Sequence, residues 1–539
     1  MKKKINFLFF LLFSFCLGND LTIRDSYNNL FKNHNEHIHP TTHITNLIRK
    51  GTSGLTQNEK MNLSKLGLNT IDNSLEVVYP QNLDLIYETN HFRFHYTLND
   101  TSIHKVENFN YVIEMGEVFE QVWLFFMDTL KYNAPFSDPN DINNLYNIYI
   151  ENLPSYYFGI TFTTNFDGIL SNCSSFIKMR NSYQGSQFSN HSELDNIKVT
   201  AVHEFFHSIQ FSYNCFEQLW LMESTAVWSE DKLYNNINDL YRYINPWFST
   251  YNYLPINSQS KMYGSFILFQ YIDEHFGGSE TIKNIWDYSN QNSSSNNDIS
   301  FQAIDYALNL ENITFDETFH KMSIANKILN SSVQNPFSYN EAEGYKTVTN
   351  GPSNKEDILF TKGNSYFIEN QNTNNYTSLY YSLSFDNPIK ISLIENSGKL
   401  FISAIIKHNE LNKWTIRTGK EINIDPNINI DWVSLVISAV SANQNNCNFS
   451  LNIEDGFSED FTLNAPFPNP SNQNKINFFL EVVQDQTISL TINDLLGREL
   501  WNRKEIFNKS NSDFISWDGK NNYGNKVSNG IYFLTAKGI

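Results

Sequence analysis

Basic residues are scarce in this chain. Its 38 lysines and arginines stand against 57 aspartates and glutamates, for a formal net charge of −19. A surface of that sign repels phosphate, which argues against a protein that tracks a nucleic-acid backbone or docks on anionic lipid. Charged residues of both signs make up only 18% of the sequence, so the polar surface must lean on Asn, Ser and Thr. After the first eighteen residues no segment is long and apolar enough to cross a membrane, and a soluble mature chain is expected. Cysteine is rare too, with four in 539 residues. Cys16 lies in the N-terminal apolar run and leaves Cys173, Cys215 and Cys447. Cys173 and Cys215 flank the helical stretch that carries the candidate site and are the expected disulfide, with Cys447 left over.

Hydrophobic residues at 40% and aromatics at 15% are enough to build sizeable cores, and the length suits three or four domains. Residues 1–18 read as a signal peptide. Lys2, Lys3 and Lys4 form the positive region, Ile5 to Leu17 the apolar one, and Cys16-Leu17-Gly18 offers small residues for cleavage before Asn19. Residues 19–80 are polar and helical in places, an N-terminal, propeptide-like segment. From His91 to Tyr96, Phe92, Phe94 and Tyr96 alternate with His91, Arg93 and His95, the pattern of a half-buried strand with its histidines on the solvated face. Helical spacing runs over Val106 to Leu130, up to the Pro135 and Pro139 stretch. It returns over Leu194 to Tyr213, Glu217 to Tyr234, Tyr263 to His275 and Ile299 to Leu329, with a strand at Leu145 to Ile150. Past Asn335-Pro336 the pattern changes. Residues 340–458 show short alternating runs, such as Leu379, Tyr381, Leu383 and Phe385, and read as a β-sandwich. A further β-unit at 459–539 opens on Pro466-Phe467-Pro468-Asn469-Pro470. Its strands are expected at Ile476 to Val482 and Ile488 to Ile492, with turns at Asp494–Gly497 and Asp518-Gly519.

The segment His203-Glu204-Phe205-Phe206-His207 is HExxH. On a helix, residues four apart share a face, so both imidazoles can reach one ion, and neutral imidazole suits Zn²⁺. Glu204 adjoins that face and can take a proton from a metal-activated water. Val199, Val202, Phe206 and Ile209 form the stripe that would anchor this helix. A catalytic zinc wants three protein ligands and one open position. Glu223 is the candidate third ligand. Fifteen residues separate it from His207, room for a turn and a second helix, and Ser224, Thr225 and Ala226 are small enough for close approach. Glu230, two helical turns on, is either an acceptor for a ligand imidazole or the ligand in place of Glu223. Glu217 is a weaker alternative.

HEFFH followed by LWLMESTA resembles the HExxH and W-L-x-E-[GS]-x-A pattern of the gluzincin metallopeptidases, which include the large zinc aminopeptidases. The runs YETNHFRFHY, VTAVHEFFHSIQFSYN and ESTAVWSED resemble more closely the secreted metalloproteases that motifs assign in myxobacteria and Bacteroidetes. The resemblance covers roughly residues 80–290. It implies a zinc-dependent peptidase with His203, His207 and Glu223 as ligands and Glu204 as base, in a zincin-like α+β domain at 81–335. Met262-Tyr263-Gly264 is similar to the segment that supplies an oxyanion-stabilising tyrosine in those aminopeptidases, which makes Tyr263 a candidate; a buried structural tyrosine fits equally. No pattern fixes a free amino terminus, so an endopeptidase is expected rather than an aminopeptidase.

PFPNPSNQNKINFFLEV, ISLTINDLLGREL and WDGKNNYGNKVSNGIYFL resemble the C-terminal sorting domain of the type IX secretion system. The chain stops at Gly538-Ile539, short of the basic, apolar final strand usual in such domains, so that either this copy of the domain or the gene is expected to be truncated. The fold expected is thus multidomain, a zincin-like α+β domain followed by two Ig-like β-sandwiches. The function expected is a secreted or cell-surface zinc peptidase, with a peptide or protein substrate and the type IX machinery as partners. The alternative is a catalytically inactive surface adhesion protein on a zincin scaffold.

Overall fold

The computed structural model describes residues 21–31, 39–137, 143–154, 156–164, 173–292, 298–410, 412–426, 429–440, 446–456, 461–471, 475–482, 485–508 and 513–538. The expected signal peptide at 1–18 and Pro139 lie outside them. The chain forms two compact units, one of residues up to 353 with 374–377, the other of 354–373, 378–439 and 446 onward. The first is helical around one mixed sheet and the second is built of strands. Among the described residues no helix is long and apolar enough to cross a membrane.

The first unit begins with α1 (Ile23–Phe31), α2 (Thr41–Lys50) and α3 (Gln57–Ser64), then the hairpin β1 (Leu68–Ile71) and β2 (Ser74–Val77). Thr56 caps α3, with Glu59 reaching back to the Thr56 amide. The central sheet holds β3 (Leu85–Glu88), β4 (Phe92–Tyr96), β5 (Tyr146–Glu151), β6 (Gly159–Thr163) and β7 (Ser175–Arg180), in the order β3-β4-β5-β7-β6. The β4/β5 and β5/β7 pairs are parallel, and β6 lies antiparallel to β7 at the edge. The alternation read in β4 holds, with Phe92, Phe94 and Tyr96 buried. His91 and His95 are half-buried on the other face and each also meets a protein partner: Nδ1 of His91 is 2.7 Å from Glu120 Oε2, and Nε2 of His95 is 2.8 Å from Asn147 Oδ1.

Helix α4 (Phe109–Trp123) is capped by Asn108 and runs into a π-helical turn at Leu124–Thr129. Ser192 caps α5 (Glu193–Tyr213), and α6 (Leu219–Tyr234) returns along it. The expected stripe on α5 is buried, but so is nearly every other residue from Asn196 to Tyr213, because sheet, α4 and α6 surround the helix. Phe92 packs on Phe119 and Phe205, with ring centroids 5.2 and 5.5 Å apart, which fixes α5 on the sheet. The disulfide Cys173–Cys215 joins the approach to β7 to the end of α5, and Cys447 is buried outside that pair.

The unit continues with α7 (Tyr241–Thr250), α8 (Phe266–His275), α9 (Ser279–Gln291), α10 (Ser300–Leu310) and α11 (Phe315–Ile328). The single helical stretch expected over Ile299 to Leu329 is two helices. Asn312 takes a left-handed conformation (φ 59°), and Thr314 with Glu317 forms a capping box that starts α11 afresh.

In the second unit a five-stranded and a four-stranded sheet enclose a shared core of Leu379, Tyr381, Leu383, Ile391, Ile402, Leu435, Phe449 and Leu451. Two three-stranded sheets then enclose a smaller core around Phe478, Leu480, Ile488, Leu490 and Trp517. Both arrangements are sandwich-like. Gly497 and Gly519 stand at positive φ, 78° and 72°, in the expected turns.

Candidate metal centre

Helices α5 and α6 bring His203, His207 and Glu223 together at the centre of the first unit. The two histidines are one helical turn apart on α5. Ser224, Thr225 and Ala226 are fully buried and let α6 approach closely enough for Glu223 to reach them. Nε2 of His203 and Nε2 of His207 are 3.1 Å apart, and Glu223 Oε2 lies 3.3 and 3.7 Å from them. All three side chains are 0% exposed, as is Glu204.

The far side of each imidazole is tied. Nδ1 of His203 is 2.6 Å from Glu230 Oε1, and Nδ1 of His207 is 2.7 Å from Gln210 Oε1. Both partners are acceptors, so each ring, when neutral, carries its proton on Nδ1 and turns the Nε2 lone pair inward. Gln210 does a second job. Its Nε2 donates to Met222 O at 2.9 Å and to Thr225 Oγ1 at 3.0 Å, which clamps α5 to α6. Sequence reading passes over Gln210, although it stands three residues beyond His207 on the same helical face. Glu230 accepts from Nδ1 of His203, on the side of the ring away from Glu223. Glu217 lies away from the centre, bonded by the Ser289 hydroxyl and by the Gln218 amide at 2.8 Å.

Glu204 Oε2 accepts from Thr161 Oγ1 on β6 at 2.7 Å and from Thr41 Oγ1 on α2 at 2.8 Å. Its Oε1 has no hydrogen-bond donor and faces His39 Nδ1 at 3.9 Å. Glu223 Oε1 accepts from Thr42 Oγ1 at 2.5 Å, while its Oε2, the atom facing both imidazoles, has no donor. With both rings neutral, the centre is a convergence of acceptors: two lone-pair nitrogens and a carboxylate oxygen. An unsatisfied buried polar atom costs roughly 1–3 kcal/mol, and more if charged. A cation among these three atoms would remove that cost.

The electrostatics agree. Burial lowers the pKa of His203, but the Glu223 and Glu230 carboxylates outweigh that and carry it up to about 10, so that a second proton takes the place of a cation between His203 and Glu223. Burial alone would raise Glu223, yet His207 and His203 hold it well below the usual carboxylate range. Both shifts say that positive charge is favoured at this point. His39, stacked on the His203 ring with centroids 3.6 Å apart, is pushed down to about 4 by burial and by His203, and so stays neutral.

Tyr263 precedes α8, and its hydroxyl donates to the His39 carbonyl at 3.3 Å. Tyr243 of α7 stacks on Tyr263 and brings its hydroxyl to 3.4 Å from His39 Nε2. Both phenols address the His39 segment. His39, Thr41, Thr42, Thr161 and Tyr243 are all absent from a reading of the HExxH region alone.

No family model matches the chain, and no curated protein matches it. Among solved structures, PNGase F, a glycosylasparaginase from Flavobacterium meningosepticum, is similar at 11% identity, over 32% of this chain and 94% of that one, with a TM-score of 0.18. A recombinant N-glycanase F is similar at 12% identity, over 32% and 93%, with a TM-score of 0.17. Likenesses this slight carry no argument about fold or chemistry.

Proposed function

We propose that the chain is a zinc-dependent peptidase in which His203, His207 and Glu223 hold the ion and Glu204 is the general base. The observation that carries this reading is the inward convergence of His203 Nε2, His207 Nε2 and Glu223 Oε2, three atoms able to ligate one cation. Their separations of 3.1, 3.3 and 3.7 Å suit zinc. A tetrahedral ion with ligands at about 2.0–2.1 Å has ligand–ligand edges of about 3.3 Å. Bound there, zinc would supply Lewis acidity at a scissile carbonyl and acidify a water.

The chain's own groups supply the rest. Thr161 and Thr41 hold one oxygen of Glu204 and leave the other without a donor, which suits Glu204 to accept a proton and return it to the leaving amine. Tyr263 and Tyr243 are the donors nearest the His39 side and the candidates to hold an oxyanion once that segment moves. The mixed sheet with an antiparallel edge strand beside α5 supports a zincin-like reading of this unit. We read the strands after residue 354 as two Ig-like modules, the second a type IX sorting domain whose partner is the secretion machinery. The disulfide favours an oxidising, extracellular setting.

The test is elemental analysis with cleavage of a mixed peptide library, run on the intact chain and on chain cut in the exposed stretch at Gln81–Asn82. About one zinc per chain is expected in the parent and in Glu204→Gln, with cleavage only by the parent. His203→Ala should lose the metal. A parent chain that retains no zinc, or a Glu204→Gln variant that still cleaves, would overturn the reading.

A further inference from the structure

The acceptor set is closed by the chain's own N-terminal segment. His39 covers one face of the His203 ring, Thr41 bonds the proposed base, and Thr42 bonds the proposed ligand Glu223. Thr41 Oγ1 also accepts from the amide of Thr161 at 2.8 Å. Thr161 lies on β6, the edge strand, and that amide faces outward, away from β7. It is a donor that an extended peptide would use when it pairs with a sheet edge. The hydroxyl of Thr41 thus takes a substrate carbonyl's place, while the same side chain occupies the base.

The rest of the segment is fastened down. Leu30, Ile44, Leu47, Leu63 and Leu68 share one core with Tyr157, Ile160 and Phe162, on and beside β6. With His203, Glu204, His207 and Glu223 all 0% exposed, no peptide bond can reach the centre while this segment stays in place. The segment is joined to β3 by a stretch without regular structure, in which Gln81 and Asn82 are exposed. Such a stretch is a preferred place for proteolytic nicking.

We propose that residues 39–45 are an intramolecular inhibitor of the metal centre, and that the enzyme is latent until the chain is cut near Gln81–Asn82 and the segment leaves. This rests on the peptidase reading above, but its test has a readout besides activity. The segment controls passage in both directions, so it slows zinc uptake as well as zinc loss. Weakened ligation would speed loss alone.

The experiment follows zinc transfer to 4-(2-pyridylazo)resorcinol, and zinc uptake by the stripped protein, in three forms of the full chain. They are the intact protein, the protein cut at a protease site built in at Gln81–Asn82, and an uncut Thr41→Val/Thr42→Val variant. The uncut variant keeps the test open if the cut protein fails to hold its fold. In the cut and variant forms, loss and uptake should both accelerate about tenfold or more, as expected when a local opening limits exchange. Equal rates in all three forms, or faster loss with unchanged uptake, overturn the inference. Faster exchange without cleavage of the peptide library sustains the inhibitor and sinks the peptidase. Cleavage by intact chain at the rate of cut chain does the reverse. A chain that takes up no zinc in any form sinks both.

Discussion

Glu230 Oε1 lies 2.6 Å from Nδ1 of His203, and both groups are buried. A buried carboxylate so close to a candidate ligand imidazole would fix the tautomer of the metal-bound ring and strengthen Nε2 as a donor to a metal. One carboxylate of α6 thus faces the centre, and another, two turns on, stands behind it.

Replacing that outer carboxylate should weaken zinc binding without removing it. Glu230→Ala is expected to lower affinity by about 10–100-fold, and Glu230→Gln by less, since its amide oxygen can still accept from Nδ1. A competitive chelator titration reads both. An unchanged affinity in Glu230→Ala would show that the Glu230 contact plays no part in holding the ion.

Gln210→Ala removes the acceptor for His207 and the donor to Met222 and Thr225 at once. With those buried groups left unsatisfied, the first unit should lose roughly 1–3 kcal/mol, seen as a lower urea midpoint. Metal affinity should fall as well, because the His207 ring is no longer oriented.

A methyl group at Gly159 would stand 2.7 Å from Glu204 Cγ and 2.8 Å from Thr200 Cγ2. Gly159→Ala should therefore push β6 away from α5, at a cost of roughly 1–3 kcal/mol. Activity should fall further than stability, since Thr161 on the same strand positions the proposed base. Thermal unfolding and turnover, measured together, separate the two effects.

Glu217 gives the chain a pH-dependent penalty. Burial raises its pKa to about 7, against the 4.5 of a free glutamate. The folded state therefore favours the protonated form. The penalty is absent below pH 4.5, grows as pH rises to 7 and is constant above. Glu217→Gln should stabilise the protein by up to about 3 kcal/mol at pH 8 and by little at pH 4. Denaturant midpoints across that range check the sign; equal gains at both pH values would refute it.

Cys173 and Cys215 are 42 residues apart in sequence. Closing a loop of that length is worth about 4 kcal/mol by the chain-entropy account. A Cys173→Ala/Cys215→Ala variant, or the parent under reductant, should unfold at correspondingly lower urea. Reductant should change nothing in the double variant.

Local parts of the centre are legible in the sequence and distant ones are not. His203 and His207 share a face by helical arithmetic, and Glu223 follows within the next helix. Gln210 obeys the same arithmetic and could have been read. Thr41 and Thr42 meet Glu204 and Glu223 across 163 and 181 residues, and no short motif announces such pairings. Strands β6 and β7 escape for another reason. Every residue in them is buried, Lys178 and Arg180 included, so the two-residue alternation that betrays a half-exposed strand is missing. The break between α10 and α11 was there to be seen, in the Thr314-x-x-Glu317 capping signature, but the apolar spacing on either side masks it. Pro246 inside α7 hides that helix in the same way.

The strand beside the centre has one further consequence. An uncovered sheet edge is a template for pairing with other chains. Here α2 covers the outer edge of β6, and the side chains of Leu30, Ile44, Leu47, Leu63 and Leu68 cover the apolar residues Ile160 and Phe162. Departure of that cover would bare unpaired amides and greasy surface together, so the liberated protein should self-associate or precipitate unless a bound peptide lines the strand. Its working lifetime in solution would then be set by how continuously it is supplied with something to hold.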